Sequence, residues 1–271
     1  MMLLGIVLSG IANADPSTVV VCYPGGPVSE DDANKAMSAM LGVVERVGGW
    51  PANTFNSTFS SDVAGCEKLL TTNKPAFAIT SLGIFLDQRE ALHLDPVVQP
   101  KMRGETTEQF HLVAIKGRFS SLEDLKGKMV GGTVFDEAAF IRRVVFANKL
   151  DPATDFQLKA GKQAVRALRA LDKGELDAVL LNGQQYAALG SLPLTHELES
   201  VFTSASLPLM GLVADRETST SDERSRFAKA LGDLCKDPDG KKLCDLFAID
   251  AFVPASAPAI NPVIALWNKG H

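Results

Sequence analysis

The polar side chains in this sequence that could do chemistry are few, and their spacing suits binding better than catalysis. Glu108 stands between a polar turn at 103–107 and an apolar run that begins at Phe110. A carboxylate there can accept a hydrogen bond from a ligand hydroxyl. It can equally be an exposed strand-start side chain, since Glu is rarely buried unpaired. Asn182-Gly183 ends one apolar run and opens a helical pattern, so its amide either faces a ligand or makes a plain turn. Tyr23, before Pro24-Gly25-Gly26, is a pocket wall or strand-end packing. Ser60-Ser61-Asp62 and Ser221-Asp222 read as helix caps. His93, His111, His196 and His271 are scattered, with no neighbouring Ser or Cys nucleophile motif. There is no Gly-x-Ser-x-Gly, no Walker A sequence and no His-Glu-x-x-His. Gly25-Gly26 and Gly131-Gly132 lack the spacing of a dinucleotide fingerprint. Without Cys-x-x-Cys or a His pair, neither a metal nor a cofactor is expected, and an enzyme is disfavoured.

The elements that must position these residues follow a βα rhythm. Strands are expected at 18–22, 54–59 and 77–79, with helices at 31–47, from 63 to about 72, and from 82. Two extended runs, 94–102 and 110–115, change the character of the chain. A second series follows: a one-turn helix within 120–128, strand 129–131, helix 136–150, strand 156–159, helix 162–173, strand 178–181, helix 184–189 and strand 200–204. The chain then returns through 207–214 to helices at 222–234 and 241–249 and a Pro- and Ala-rich tail. Two βα series joined by extended crossings predict two α/β lobes with a cleft between them. Ligands in such sheets bind outside the carboxyl ends of the strands.

Residues 1–14 form a short apolar run ending in Ala12-Asn13-Ala14, which reads as an export signal that lacks a basic start. The expected organisation is a signal at 1–14, a first lobe at 15–108 with 206–271, and a second lobe at 109–205. The four cysteines suit an oxidising compartment. Cys235 and Cys244 flank a Pro-x-Gly turn and are a plausible pair; Cys22 and Cys66 are the other suspected pair. With 271 residues, 46% apolar, the chain is globular, and a net charge of −5 argues against nucleic acid as a partner. Its aromatics are lopsided: 14 Phe against 2 Tyr and 2 Trp.

The run 121–130, Ser-Leu-Glu-Asp-Leu-Lys-Gly-Lys-Met-Val, resembles a hallmark of type II periplasmic solute-binding proteins, where it opens the second lobe. Cys66 to Leu70 followed by Pro75 to Thr80, and Gly174-Glu175-Leu176-Asp177-Ala178-Val179, resemble further landmarks in the same order. The order is most similar to the phosphonate-binding branch. That resemblance implies a two-lobed α/β fold, a periplasmic location, a small-molecule ligand, a membrane or envelope transporter as partner, and a monomer. It also implies a Ser/Thr-rich anion loop after the first strand of lobe two. Here that position reads Gly131-Gly132-Thr133-Val134-Phe135-Asp136-Glu137, and its two carboxylates would repel a bound anion. The expected cleft residues are Tyr23, Thr80, Ser81, Leu82, Glu108, Phe110, Thr133, Phe135, Asn182, Tyr186, Leu207 and Met210, from loops that contain no Arg, Lys or His. This balance resembles a sterol-transporting branch of the family. The expectation is therefore a sterol-like lipid anchored by Glu108 and Asn182, with Phe77, Phe85, Phe110 and Phe135 as apolar surface; the alternative is phosphate or phosphonate. The lobes would close by hinge motion near 108–111 and 204–207.

Overall fold

A computed structural model describes residues 16–25 and 29–269. The export-signal reading of residues 1–14 lies outside the described residues, as does Gly26 of the 23–26 loop.

The first half of lobe one builds β1 (Ser17–Cys22), α1 (Glu30–Gly48), β2 (Phe55–Ser60), α2 (Val63–Asn73), β3 (Phe77–Thr80) and α3 (Leu82–Gln88). β1 pairs in parallel with both β2 and β3, as crossover helices require. Its side chains alternate between two cores: Val19 and Val21 meet Met37, Met40, Val44 and Phe227, while Val20 and Cys22 meet Leu70, Ala78 and Phe85. Caps set where the helices start. The Ser29 hydroxyl accepts from the Asp32 N–H, and Asp62 Oδ1 accepts from the Gly65 N–H at 2.8 Å.

The chain then runs through β4 (Leu94–Lys101), β5 (Thr107–Glu108) and β6 (His111–Ile115) into lobe two. There it forms β7 (Met129–Gly132), α4 (Ala138–Phe140), α5 (Pro152–Asp155), β8 (Gln157–Ala160), α6 (Ala164–Asp172), β9 (Ala178–Leu181), α7 (Gly183–Ala188) and β10 (Leu198–Thr203). It returns through β11 (Leu207–Pro208) and β12 (Leu212–Asp215), then α8 (Ser221–Leu234), α9 (Pro238–Leu246), β13 (Ala251–Pro254) and α10 (Ala257–Asn268). The two large sheets have the orders β13-β4-β12-β3-β1-β2 and β10-β6-β9-β7-β8. The two crossings lie side by side. β5 pairs antiparallel with β11 (Glu108 opposite Leu207), and Ser204 Oγ accepts from the Phe110 N–H at 2.9 Å. One apolar core runs through both lobes, from Val20 and Phe85 to Phe110, Phe140, Leu180 and Trp267.

Several expectations are corrected. The helix expected at 136–150 is a 3₁₀ turn (Val134–Glu137), the single turn α4, and a π-helical stretch (Ile141–Val145) closed by the Phe146 N–H donating to the Ile141 carbonyl. Ile141, Val144, Val145 and Phe146 are buried along this wider winding. The Pro- and Ala-rich tail is ordered as β13 and α10. Ile260, Val263 and Trp267 of α10 are buried, and the Arg143 guanidinium of lobe two lies 4.6 Å from the Trp267 ring centre.

The Pro-x-Gly signal at 238–240 is the first turn of α9, because the Asp237 side chain accepts from the Asp239 and Gly240 N–H groups. The Cys235–Cys244 disulfide is present, with Cα atoms 5.7 Å apart, but it ties the end of α8 to the body of α9 rather than closing a loop. Cys22 and Cys66 are free thiols, both fully buried. Cys66 donates to the Ser60 carbonyl, and contact with Cys66 together with burial pushes the Cys22 thiol up, so Cys22 is not a ready nucleophile for exchange. Among the described residues no helix is long and apolar enough to cross a membrane.

Candidate functional site

The strand ends of both lobes converge on one cavity of about 50 Å³. Lobe one contributes Tyr23, Pro24, Ser81 and Leu82; lobe two contributes Phe110, Val134, Glu137, Phe140, Ile141 and Asn182; and the two crossings contribute Glu108 and the run Leu207 to Met210. A larger open groove of about 510 Å³, lined by Lys159, Lys162 and Arg166 among others, belongs to lobe two alone, so no closure of the lobes would act on it.

Eight of the expected residues meet in the cavity: Tyr23, Ser81, Leu82, Glu108, Phe110, Asn182, Leu207 and Met210. Four do not. Thr80 is buried, with its hydroxyl oxygen lacking a hydrogen-bond partner. Thr133 accepts from Gln185 Nε2 at 2.8 Å and is buried. Phe135 is buried in the shared core. Tyr186 stacks on His111 with ring centres 3.7 Å apart. The expected phenylalanine wall is also corrected. Phe85 is core, and Phe77 packs on Phe227 with ring centres 4.8 Å apart; of the four named, Phe110 alone lines the cavity. Phe140, Ile141 and Val134 were missed: the sequence reads as a plain helix over 136–150, where the chain passes from a 3₁₀ turn through α4 into a π-helical stretch. Glu137 was seen only as a charge that would repel an anion. That it crosses the cleft depends on the meeting of two lobes.

Each carboxylate is held by a specific neighbour. Glu108 Oε2 accepts from the Gly183 N–H at 3.1 Å, at the start of α7. Gly183 suits that approach, since a Cβ there would press on the Glu108 side chain. Asn182 caps the same helix: its Oδ1 accepts from the Gln185 N–H at 2.9 Å, and its own N–H donates to Gln185 Oε1 at 3.2 Å. The amide oxygen expected to face a ligand is thus engaged in a capping box. Across the cleft, Ser81 Oγ donates to Glu137 Oε1 at 2.6 Å, and the Ile84 N–H also bonds to Glu137.

Burial pushes the Glu108 carboxyl up to about 7, against the lowering effect of the Gly183 N–H. Burial likewise raises Glu137 to about 7; its bonds to Ser81 and Ile84 oppose the rise, and the charges of Asp136 and Glu108 add to it. Tyr23 sits deep in the cleft yet keeps 40% of its surface exposed, and burial, then Glu108 and Glu137, push its phenol up. No Arg, Lys or His lines the cavity. Two carboxyls in this setting can accept from a cation or a hydroxyl, and when protonated each can also donate.

The comparisons with known proteins agree on the architecture. A family model described as "ABC transporter, phosphonate, periplasmic substrate-binding protein" matches residues 27–259. A search of curated proteins finds no match. A binding-protein component of an ABC phosphonate transporter from Pseudomonas aeruginosa superposes with a TM-score of 0.70 at 17% identity, covering 93% of this chain and 86% of that one. A Xanthomonas citri protein bound to ATP superposes with a TM-score of 0.71 at 12% identity, covering 93% and 98%. PhnD1 from Prochlorococcus marinus in complex with methylphosphonate superposes with a TM-score of 0.66 at 13% identity, covering 94% and 98%. At these identities the likeness is one of fold, that of two-lobed type II periplasmic binding proteins. With its cleft between two α/β lobes and a family match over most of its length, the chain belongs to the periplasmic substrate-binding proteins of phosphonate ABC transporters.

Proposed function

We propose that this protein captures a small phosphonate-class ligand between its lobes for an ABC importer, and that the ligand presents an ammonium or a similar donor to Glu108. The lobes are taken as 15–108 with 206–271, and 109–205, hinged at the paired crossings beside Glu108 and Ser204. The observation that carries the reading is the Glu108 carboxyl, facing a cavity that no cationic side chain lines. A bare dianion there meets two carboxyls and no compensating charge. A ligand with an oxyanion at one end and an ammonium at the other satisfies both the family's chemistry and this site's.

The sterol-like ligand expected from the sequence loses its support. The family match favours the phosphonate alternative.

Calorimetry with 2-aminoethylphosphonate, methylphosphonate, phosphate and cholesterol tests this. The expected order places 2-aminoethylphosphonate first, with Glu108→Gln weakening it by roughly tenfold or more, the loss of a hydrogen bond to a charged group. Tighter binding of methylphosphonate overturns the ammonium assignment. Binding of cholesterol with none of the phosphorus compounds overturns the ligand class.

A further inference from the structure

Glu137 makes a hydrogen bond straight across the cleft. It belongs to the turn after β7 in lobe two, and its carboxylate rests on Ser81 and the Ile84 N–H at the start of α3 in lobe one. The seat is shaped for it: a Cβ on Gly83 would collide with Glu137 Oε1 and crowd Phe140. With the carboxylate in place, the remaining cavity is about 50 Å³, well below the ~300–1,000 Å³ of pockets that enclose drug-sized ligands. The seated carboxylate therefore takes up Ser81 and space that a ligand held between these lobes would use.

We propose that Glu137 is a tethered competitor for the ligand: it latches the empty lobes together over Ser81, and a ligand must displace it to enter. The latch sets both the apparent affinity and which ligands gain access. A protein whose binding-competent form is only a fraction of the whole shows an affinity reduced by that fraction. The latch then raises the threshold for every ligand, and only one whose contacts outweigh the Ser81–Glu137 pair closes the lobes around itself. A ligand with a strong acceptor for Ser81 replaces what the carboxylate supplied; a weak acceptor does not. The inference rests on the cleft being the ligand site, and its first readout is independent of the ligand's identity.

The test uses the full mature chain as wild type, Glu137→Ala and Gly83→Ala. The two variants remove the latch differently. The first deletes the carboxylate. The second leaves it intact and fills its seat with a methyl group, on a helix where Ala is itself favourable. Small-angle scattering of the ligand-free proteins is expected to give a larger radius of gyration for both variants than for wild type. Calorimetry and stopped flow with 2-aminoethylphosphonate and methylphosphonate are expected to show affinity raised at least tenfold and faster association in both. Unchanged radii in both variants overturn the latch. Larger radii with unchanged affinity overturn the competition. If neither phosphonate binds any of the three proteins while the radii increase, the latch stands and the phosphonate reading above falls.

Discussion

At the scale of single residues, Glu108 and Glu137 concentrate the unusual chemistry of the molecule. Both carboxyls are raised from an ordinary value of 4.5 to about 7, mainly by burial. Tyr23 faces them, and Asp136, itself raised by burial, adds to the rise at Glu137. The sign of the linkage follows. Between the unfolded and folded values the native protein holds more protons than the unfolded chain. The contribution to stability is therefore complete below about 4.5 and is lost as pH rises through about 7. At pH 8 each ionised carboxyl costs on the order of 3 kcal/mol. Thermal unfolding across pH 5 to 8 is expected to show stability falling toward pH 8, with Glu108→Gln and Glu137→Gln each flattening the profile and raising the melting temperature at pH 8. Profiles parallel to wild type would mean that neither carboxyl titrates in this window.

At the scale of elements, the C-terminal helices show how a local signal finds its place. Asp237 ends one helix and caps the next, and its carboxylate also takes both Arg46 amino groups, at 2.5 and 2.9 Å. Paired that way it lies well below the usual carboxylate range, held down by Arg46 and the Gly240 N–H. The Cys235–Cys244 bridge spans nine positions of sequence at this corner. By loop-closure entropy a bridge of this span contributes about 2–3 kcal/mol. Replacing both cysteines with serine is expected to lower the urea midpoint accordingly, leaving ligand affinity unchanged because the corner is remote from the cleft residues. Loss of binding together with stability would show that α8 and α9 are coupled to the cleft. Most elements were legible in the sequence at this scale. The β-branched run from Thr18 to Cys22 marked a strand, Asp62 a helix start, and the apolar spacing from Ala33 to Val47 a helix. The π-helical stretch at Ile141–Val145 was not, since apolar spacing that suits an ordinary helix does not mark a change of winding.

At the scale of the whole molecule, close contacts join the two lobes. Gly25, in the left-handed region at φ 72°, lies against Thr133 of lobe two, where any Cβ would collide with the Thr133 carbonyl oxygen. Gly25→Ala is expected to shift the ligand-free protein toward the open form, seen as a larger radius of gyration that shrinks only at higher ligand concentration. A radius equal to wild type would place closure elsewhere, on the α10 contact with lobe two at Arg143 and Trp267.

The amino-acid order was sufficient for the βα rhythm, the two lobes, the family landmarks around 121–130 and eight of the residues that line the cavity, because each depends on periodicity, caps or strand ends that are local. It could not supply the cavity's size or the reach of Glu137 to Ser81. It also could not tell the phenylalanines that line the cavity (Phe110, Phe140) from those that do not (Phe77, Phe85, Phe135). Those depend on the distance between two sheets joined by a pair of crossings, and on which side chains remain once the shared core has closed. The apolar composition that suggested a lipid cavity is spent on packing. What faces the cleft is set by the approach of one lobe to the other, where burial leaves two carboxyls and no cation.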